Sequence, residues 1–180
     1  MIHVKKLEEA GYQSALFGLS LNKNKKPEDM AKVLERLASM DGGHNKALEH
    51  IDIWLEVRAP RYWWQEADTY RLSTKNSEST MHTIDKRNLE SSDFENGDIN
   101  SATLHDLNWK LNKLRKKEIT MSEFKRHLPE GFMQTRMWKM SYKTLRNIIM
   151  QRRKHRLENW RDFIQQTLDQ VDHPELLPKS

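Results

Sequence analysis

The chain has 180 residues, 31 Lys and Arg against 26 Asp and Glu for a formal net charge of +5, 36% hydrophobic residues and no cysteine. This suits one domain, 1–180, with a buried core. Without cysteine there is no disulfide framework, thiolate metal site or cysteine nucleophile, so redox or covalent chemistry must come from another side chain or a bound cofactor. No run approaches the roughly 20 apolar residues of a membrane span, and Met1–Lys6 lacks a signal-peptide core, so a soluble cytoplasmic protein without a membrane partner is expected.

Residues Ile2 to Leu19 mix short apolar runs with Gly11 and Gly18 and read as one or two short strands. A helix follows from Pro27, where proline suits the first turn, Glu28 and Asp29 complement its positive end, and Met30, Val33, Leu34 and Leu37 recur at helical spacing before Gly42 and Gly43 stop it. Ile51, Ile53, Leu55 and Val57 alternate with Asp52, Trp54, Glu56 and Arg58, which predicts a half-buried strand ended by Pro60. From Pro60 to about Arg71 the pattern suits a helix with Trp63, Ala67 and Tyr70 toward one side. The polar stretch Arg71–Ser79 is expected to be a loop, as is the surface segment 88–100, dense in turn residues. Leu104, Leu107, Leu111 and Leu114 make an amphipathic helix whose start, near Ser101 to Thr103, offers capping hydroxyls. After a break at Leu128–Gly131, Leu145, Ile148 and Ile149, then Trp160, Ile164, Leu168 and Val171, form one or two further helices closed by Pro174.

Charge concentrates near the C-terminal end. Between Arg136 and Arg161 stand Arg136, Lys139, Lys143, Arg146, Arg152, Arg153, Lys154, Arg156 and Arg161 against a single acid, Glu158. Such a segment points to phosphate, on a nucleotide or a nucleic acid, or else to a solvated helix face. Arg71 to Ser79 supplies a guanidinium, Ser and Thr hydroxyls, the Asn76 amide and Glu78, which suit phosphate or an ordinary polar loop. His44 and His50 flank Glu49 just before the buried strand; a zinc site would want a third close ligand, so no metal is expected. Trp63 and Trp64 suit stacking on a base or a flavin ring, or a place in the core or a subunit interface. No phosphate-binding glycine loop, dinucleotide fingerprint, nucleophile elbow or zinc-protease motif is present.

Read together, Gly43-His44, Leu48-Glu49-His50, the alternating strand to Val57, Ala59-Pro60 and then Arg71, Thr74, Asn76 and Ser79 resemble the flavin-dependent thymidylate synthases. That family has a G-H-x-x-x-F-E-H loop, a strand ending in A-P, and a helix leading into R-H-R-x-x-S-x-N-E-x-S-x-R. Leu128-Pro129, Trp138 and the basic stretch to Trp160 are similar to its C-terminal nucleotide- and flavin-binding region. Thr69 and Tyr70 stand where the family has Arg and His, Thr74 for Ser, Ser77 for Glu and Met81 for the final Arg. Each lost charge-assisted hydrogen bond is worth about 1.5–3 kcal/mol.

The resemblance implies an α+β fold, a mixed sheet flanked by helices, in a homotetramer whose active sites are shared between subunits. It implies a deoxynucleotide ligand of the dUMP type and FAD as cofactor. His50 and Arg152 would serve the flavin, Arg71, Thr74, Asn76, Glu78 and Ser79 the nucleotide, with no protein nucleophile, since the cofactor carries the difficult chemistry. Two alternatives stand beside it. One is a phage-encoded accessory protein that binds a nucleotide or another protein without catalysis, suggested by the compact chain and the missing charges. The other is a nucleic-acid-binding protein that uses the basic C-terminal helix.

Overall fold

The computed structural model describes residues 1–22 and 24–179. Four strands, β1 (His3–Ala10), β2 (Asp52–Pro60), β3 (Ser73–Ser77) and β4 (Met133–Ser141), form one sheet in the order β1-β2-β4-β3. The fold is α+β, as expected, and all three pairings are antiparallel where a mixed sheet was expected. Among the described residues eight α-helices accompany it: α1 (Tyr12–Leu21), α2 (Ala31–Ala38), α3 (Arg61–Ala67), α4 (Thr80–Thr83), α5 (Ser101–Arg115), α6 (Met121–Lys125), α7 (Tyr142–Arg152) and α8 (Asn159–Leu168). Among the described residues no helix is long and apolar enough to cross a membrane.

The alternation along β2 decides which sheet face is covered. Ile53, Leu55, Val57 and Ala59 are fully buried and share that face with Trp138 and Met140 of β4. The main core adds Leu16 of α1, Leu34 of α2, Leu145, Ile148 and Ile149 of α7, and Trp160, Phe163 and Ile164 of α8. At its centre Trp63 lies 4.6 Å from Trp160 and 5.4 Å from Phe163 between ring centroids, and each such aromatic pair adds about 0.5–1.5 kcal/mol beyond area burial. Trp63 and Trp64 are therefore core side chains, and neither is open to stack on a ligand. A second cluster joins Leu107 and Leu111 of α5 to Phe124 of α6, Ile84, Leu89, Phe94, Leu128 and Phe132. Within 88–100, single turns at Ser91–Asp93 and Glu95–Gly97 carry Leu89 and Phe94 into this cluster.

Several elements differ from their sequence expectation. Residues 12–19, expected in a strand, belong to helix α1, because Gly11, at φ 100°, turns the chain sharply after β1. Only glycine fits there, since a Cβ would lie 1.9 Å from the His50 carbonyl oxygen. Residues 73–77, expected in a loop, form the edge strand β3, which pairs with β4 alone and leaves Thr74 and Asn76 exposed, so no apolar alternation marks it. Arg136 and Lys139 lie on strand β4, where methionines on both faces blur the period of two. Helix α5 is capped by Asn100, whose side chain accepts from the Thr103 amide at 2.7 Å, one residue before the expected hydroxyls.

Candidate functional site

A cleft of about 790 Å³ opens where the end of β4 turns into α7. Asp41, Gly42 and Gly43 of the loop after α2 form one wall, Glu49 and Asp52 a second, and Thr69–Leu72 of the α3–β3 connection a third. Lys139, Ser141, Lys143, Thr144 and Arg146 complete it. The local sequence explains the shape. Gly42 and Gly43, at φ 68° and 85°, take a backbone that other residues rarely adopt. Ser141 caps α7 by accepting from the Thr144 amide, and the Tyr142 amide donates to the Ile51 carbonyl at 2.7 Å, tying the helix start to the head of β2. The Thr144 hydroxyl donates to the Leu72 carbonyl at 3.1 Å and fastens the opposite wall.

The cleft presents the positive end of an eleven-residue helix and four cations. Three are already paired: Lys139 with Asp52 at 2.7 Å, Lys143 with Glu49 at 2.6 Å, and Arg146 with Asp41 at 3.2 Å. The hydrogen bond and charge of Lys143 hold the Glu49 carboxyl below its ordinary range. Arg71 has no ion-pair partner among the described residues and is exposed at the mouth beside Leu72. The arrangement offers charge and hydrogen-bond donors to an anion, with Ser141 and Thr144 hydroxyls engaged in capping and tethering.

Of the residues expected at a site, Arg71 alone lines this cleft. His50 is exposed next to Glu49 but outside the lining. Thr74 and Asn76 stand on the uncovered sheet face opposite Lys139 and Met137, so Thr74 neighbours the cleft across the β3–β4 pair. Glu78 accepts from the Thr135 amide at 3.2 Å and lines a smaller cleft of about 270 Å³ with Arg58 and Arg87; exposed Ser79 heads α4. Arg152 is turned inward. Its Nε donates to the Tyr70 hydroxyl at 2.8 Å, one terminal nitrogen donates to Glu66 at 3.0 Å, and the guanidinium lies 4.9 Å from the Trp160 ring centroid. Tyr70 is 8% exposed and donates onward to Gln151 at 3.0 Å. The aromatic ring at a position where the resemblance has histidine thus braces the end of α7.

In the sequence Lys139, Lys143 and Arg146 stand out only as part of a basic segment suited to phosphate, and Asp41, Asp52 and Thr144 were not expected at a site. A usable signal existed in Ser141-Tyr142-Lys143-Thr144 ahead of the apolar run from Leu145, a helix start that would have put the cations in its first turn. Within the basic segment, Arg136 pairs with Asp68, Arg152 with Glu66 and Arg161 with Glu158, besides the three cleft pairs, so most of its charge is compensated internally.

No curated protein sequence matches the chain. Among solved structures it is similar to thymidylate synthase X (ThyX) from Helicobacter pylori with FAD and dUMP, with a TM-score of 0.82 at 16% identity over 98% of this chain and 97% of that one. A second structure of the flavin-dependent thymidylate synthase from Helicobacter pylori, also complexed with FAD and dUMP, gives a TM-score of 0.81 at 16% identity over 97% of each chain. At that identity the likeness establishes the fold. Residues 5–174 match the family model of the thymidylate synthase complementing protein, so the chain belongs to that family, in agreement with its resemblance to the flavin-dependent thymidylate synthases.

Proposed function

We propose that the 790 Å³ cleft binds a deoxynucleoside monophosphate of the dUMP type by its phosphate, in a cytoplasmic, homo-oligomeric protein whose site is completed by a second subunit. The observation that carries this reading is the convergence of Lys139, Lys143, Arg146 and Arg71 on the start of α7, a donor set suited to a phosphate dianion. The structurally similar enzymes hold dUMP and FAD, which supports the ligand class. The uncovered sheet face continues from Lys139 to Thr74, Asn76 and Trp54, where a neighbouring subunit would close the cavity; this supports an oligomer, a tetramer by family resemblance.

FAD fits this chain in part. The cleft cations suit its diphosphate, whereas a flavin ring wants an apolar or aromatic wall, and Leu72 and the edge of the buried Tyr70 are the only such side chains in the lining. When bound, the flavin would supply hydride chemistry. This chain's own contribution is to hold phosphate, with Arg71 in the lining and Thr74 beside it across the β3–β4 pair, while Asn76, Glu78, Ser79 and His50 lie outside the lining and would reach a ligand only beyond the cleft mouth; Arg152 positions α7 through Tyr70 and Glu66.

A second reading, a nucleotide- or protein-binding accessory protein without catalysis, is favoured by Tyr70, whose use as an internal brace removes a ligand group. Calorimetric titration tests the ligand. The expected result is dUMP binding with deoxyuridine at least about 10-fold weaker, since the phosphate forms charge-assisted hydrogen bonds of about 1.5–3 kcal/mol each. Equal affinity for the two, or binding of neither, overturns the reading, and a flavin absorbance spectrum of the purified protein separates the enzyme from the accessory protein.

A further inference from the structure

Outside the cleft lining, α5 and α6 carry a surface that nucleotide binding does not use. Residues 109–127 hold seven Lys and Arg against two Glu. Among the described residues only Lys110 of these seven has a carboxylate partner, Asp106, in contrast to the internally compensated basic segment of β4 and α7. The apolar stripe of α5, with Leu107 and Leu111, faces the second core cluster. Trp109 lies off that stripe and is 50% exposed, and the Lys113 ammonium sits 3.9 Å from its ring centroid. A cleft of about 340 Å³ beside it is lined by Trp109, Lys110, Lys113, Ile119, Glu123, Arg126 and His127. Glu123, the one acid of the lining, is turned to α6's own start, where it accepts from the Thr120 amide and hydroxyl at 2.7 and 2.8 Å.

We infer that this surface binds single-stranded nucleic acid, with a base stacked on Trp109 and phosphates on Lys113, Lys116 and Arg126. Lys113 and Lys116 follow Trp109 at i+4 and i+7, on one side of α5 and its C-terminal end, with successive steps of about 6 and about 4.5 Å along the axis. A base face on an aromatic ring flanked by uncompensated cations is how single strands are held without sequence preference. The neighbourhood favours this occupant over others. Trp109 is the only large hydrophobic side chain exposed on α5 or α6, too little apolar surface for a membrane or a partner helix. An acidic peptide would leave the ring without a role, and a duplex keeps its base faces stacked inside.

The test is fluorescence anisotropy of a labelled single strand of about 12 nucleotides, as DNA and as RNA, against the duplex of the same sequence. The full chain should bind either single strand more tightly than the duplex, and three phosphate contacts should cost about 20-fold in affinity between about 50 and 200 mM salt. Trp109→Ala should weaken binding about 5- to 150-fold with Tm unchanged, and Trp109→Phe should restore most of it. Lys113→Glu and Arg126→Glu should weaken binding and flatten the salt dependence. Saturating dUMP and Arg71→Ala should leave oligonucleotide affinity as it is, which separates this surface from the nucleotide cleft. No anisotropy change at low salt, equal affinity of Trp109→Ala and the parent, competition by dUMP, or a loss caused by Arg153→Glu but not by Lys113→Glu would each overturn the inference.

Discussion

Arg152 separates a structural from a ligand-binding role in a single substitution. Its guanidinium bridges the Tyr70 hydroxyl at 2.8 Å and Glu66 at 3.0 Å while lying over Trp160, so Arg152→Ala removes two hydrogen bonds and a cation–π contact at once. Hydrogen bonds to charged groups are worth about 1.5–3 kcal/mol each and the cation–π contact about 0.5–2. Two facts reduce the sum: the Glu66 side chain is one-third exposed, and it keeps the Trp160 indole donor at 2.8 Å. The net expectation is about 3 kcal/mol, a fall of about 6–12 °C in Tm for a chain of this length. Arg152→Lys keeps the charge but cannot span both partners, and should recover only a minor share. Tyr70→Phe should cost about 1 kcal/mol and couple to Arg152→Ala in a double-mutant cycle. Urea unfolding together with dUMP and FAD titrations reads the outcome. A melt within about 2 °C of the parent combined with lost ligand affinity would refute the bracing role and return Arg152 to the cofactor.

Three further substitutions probe the fold and the cleft. At Glu95 burial opposes ionisation, but hydrogen bonds from Tyr62 and Asn159 and the nearby N-terminal amine hold the carboxyl below its ordinary 4.5. A depressed carboxyl stabilises fully above that value and loses its contribution as pH falls through the folded pKa, so Glu95→Gln should flatten the decline of the urea midpoint below about pH 4.5, and an unchanged acid limb would contradict this. Gly11→Ala places a Cβ 1.9 Å from the His50 carbonyl at φ 100°, and should destabilise by more than about 1 kcal/mol in denaturant titration. Asp41→Asn releases Arg146 from a well-exposed pair worth no more than about 1 kcal/mol, so dUMP affinity should rise by at most about 5-fold; a fall would mean that Asp41 serves the ligand and does not compete with it.

What could be read in advance followed from how strongly burial is imprinted on periodicity. β2 lies at the sheet interior with one face covered, so its alternation was plain, and the stripes of α2, α5, α7 and α8 were plain for the same reason. β3 is an edge with little to bury, and β4 carries Met137 on its open face and Trp138 and Met140 on its covered one, so both were hidden. The site was obscured differently. Arg71 was visible because it stands in a polar stretch at a position that carries the family resemblance, whereas the cations of β4 and α7 could be counted but not assigned. Whether a basic residue is available to a ligand depends on acids distant in sequence: Asp41, Glu49 and Asp52 for the cleft, and Asp68 and Glu66 beyond it. Pairing of that kind is set by the fold and leaves no local pattern. It reverses the ranking that composition suggests, because the most basic segment of the chain is largely neutralised where it lies, while the less conspicuous charge of α5 and α6 remains uncompensated around an exposed tryptophan.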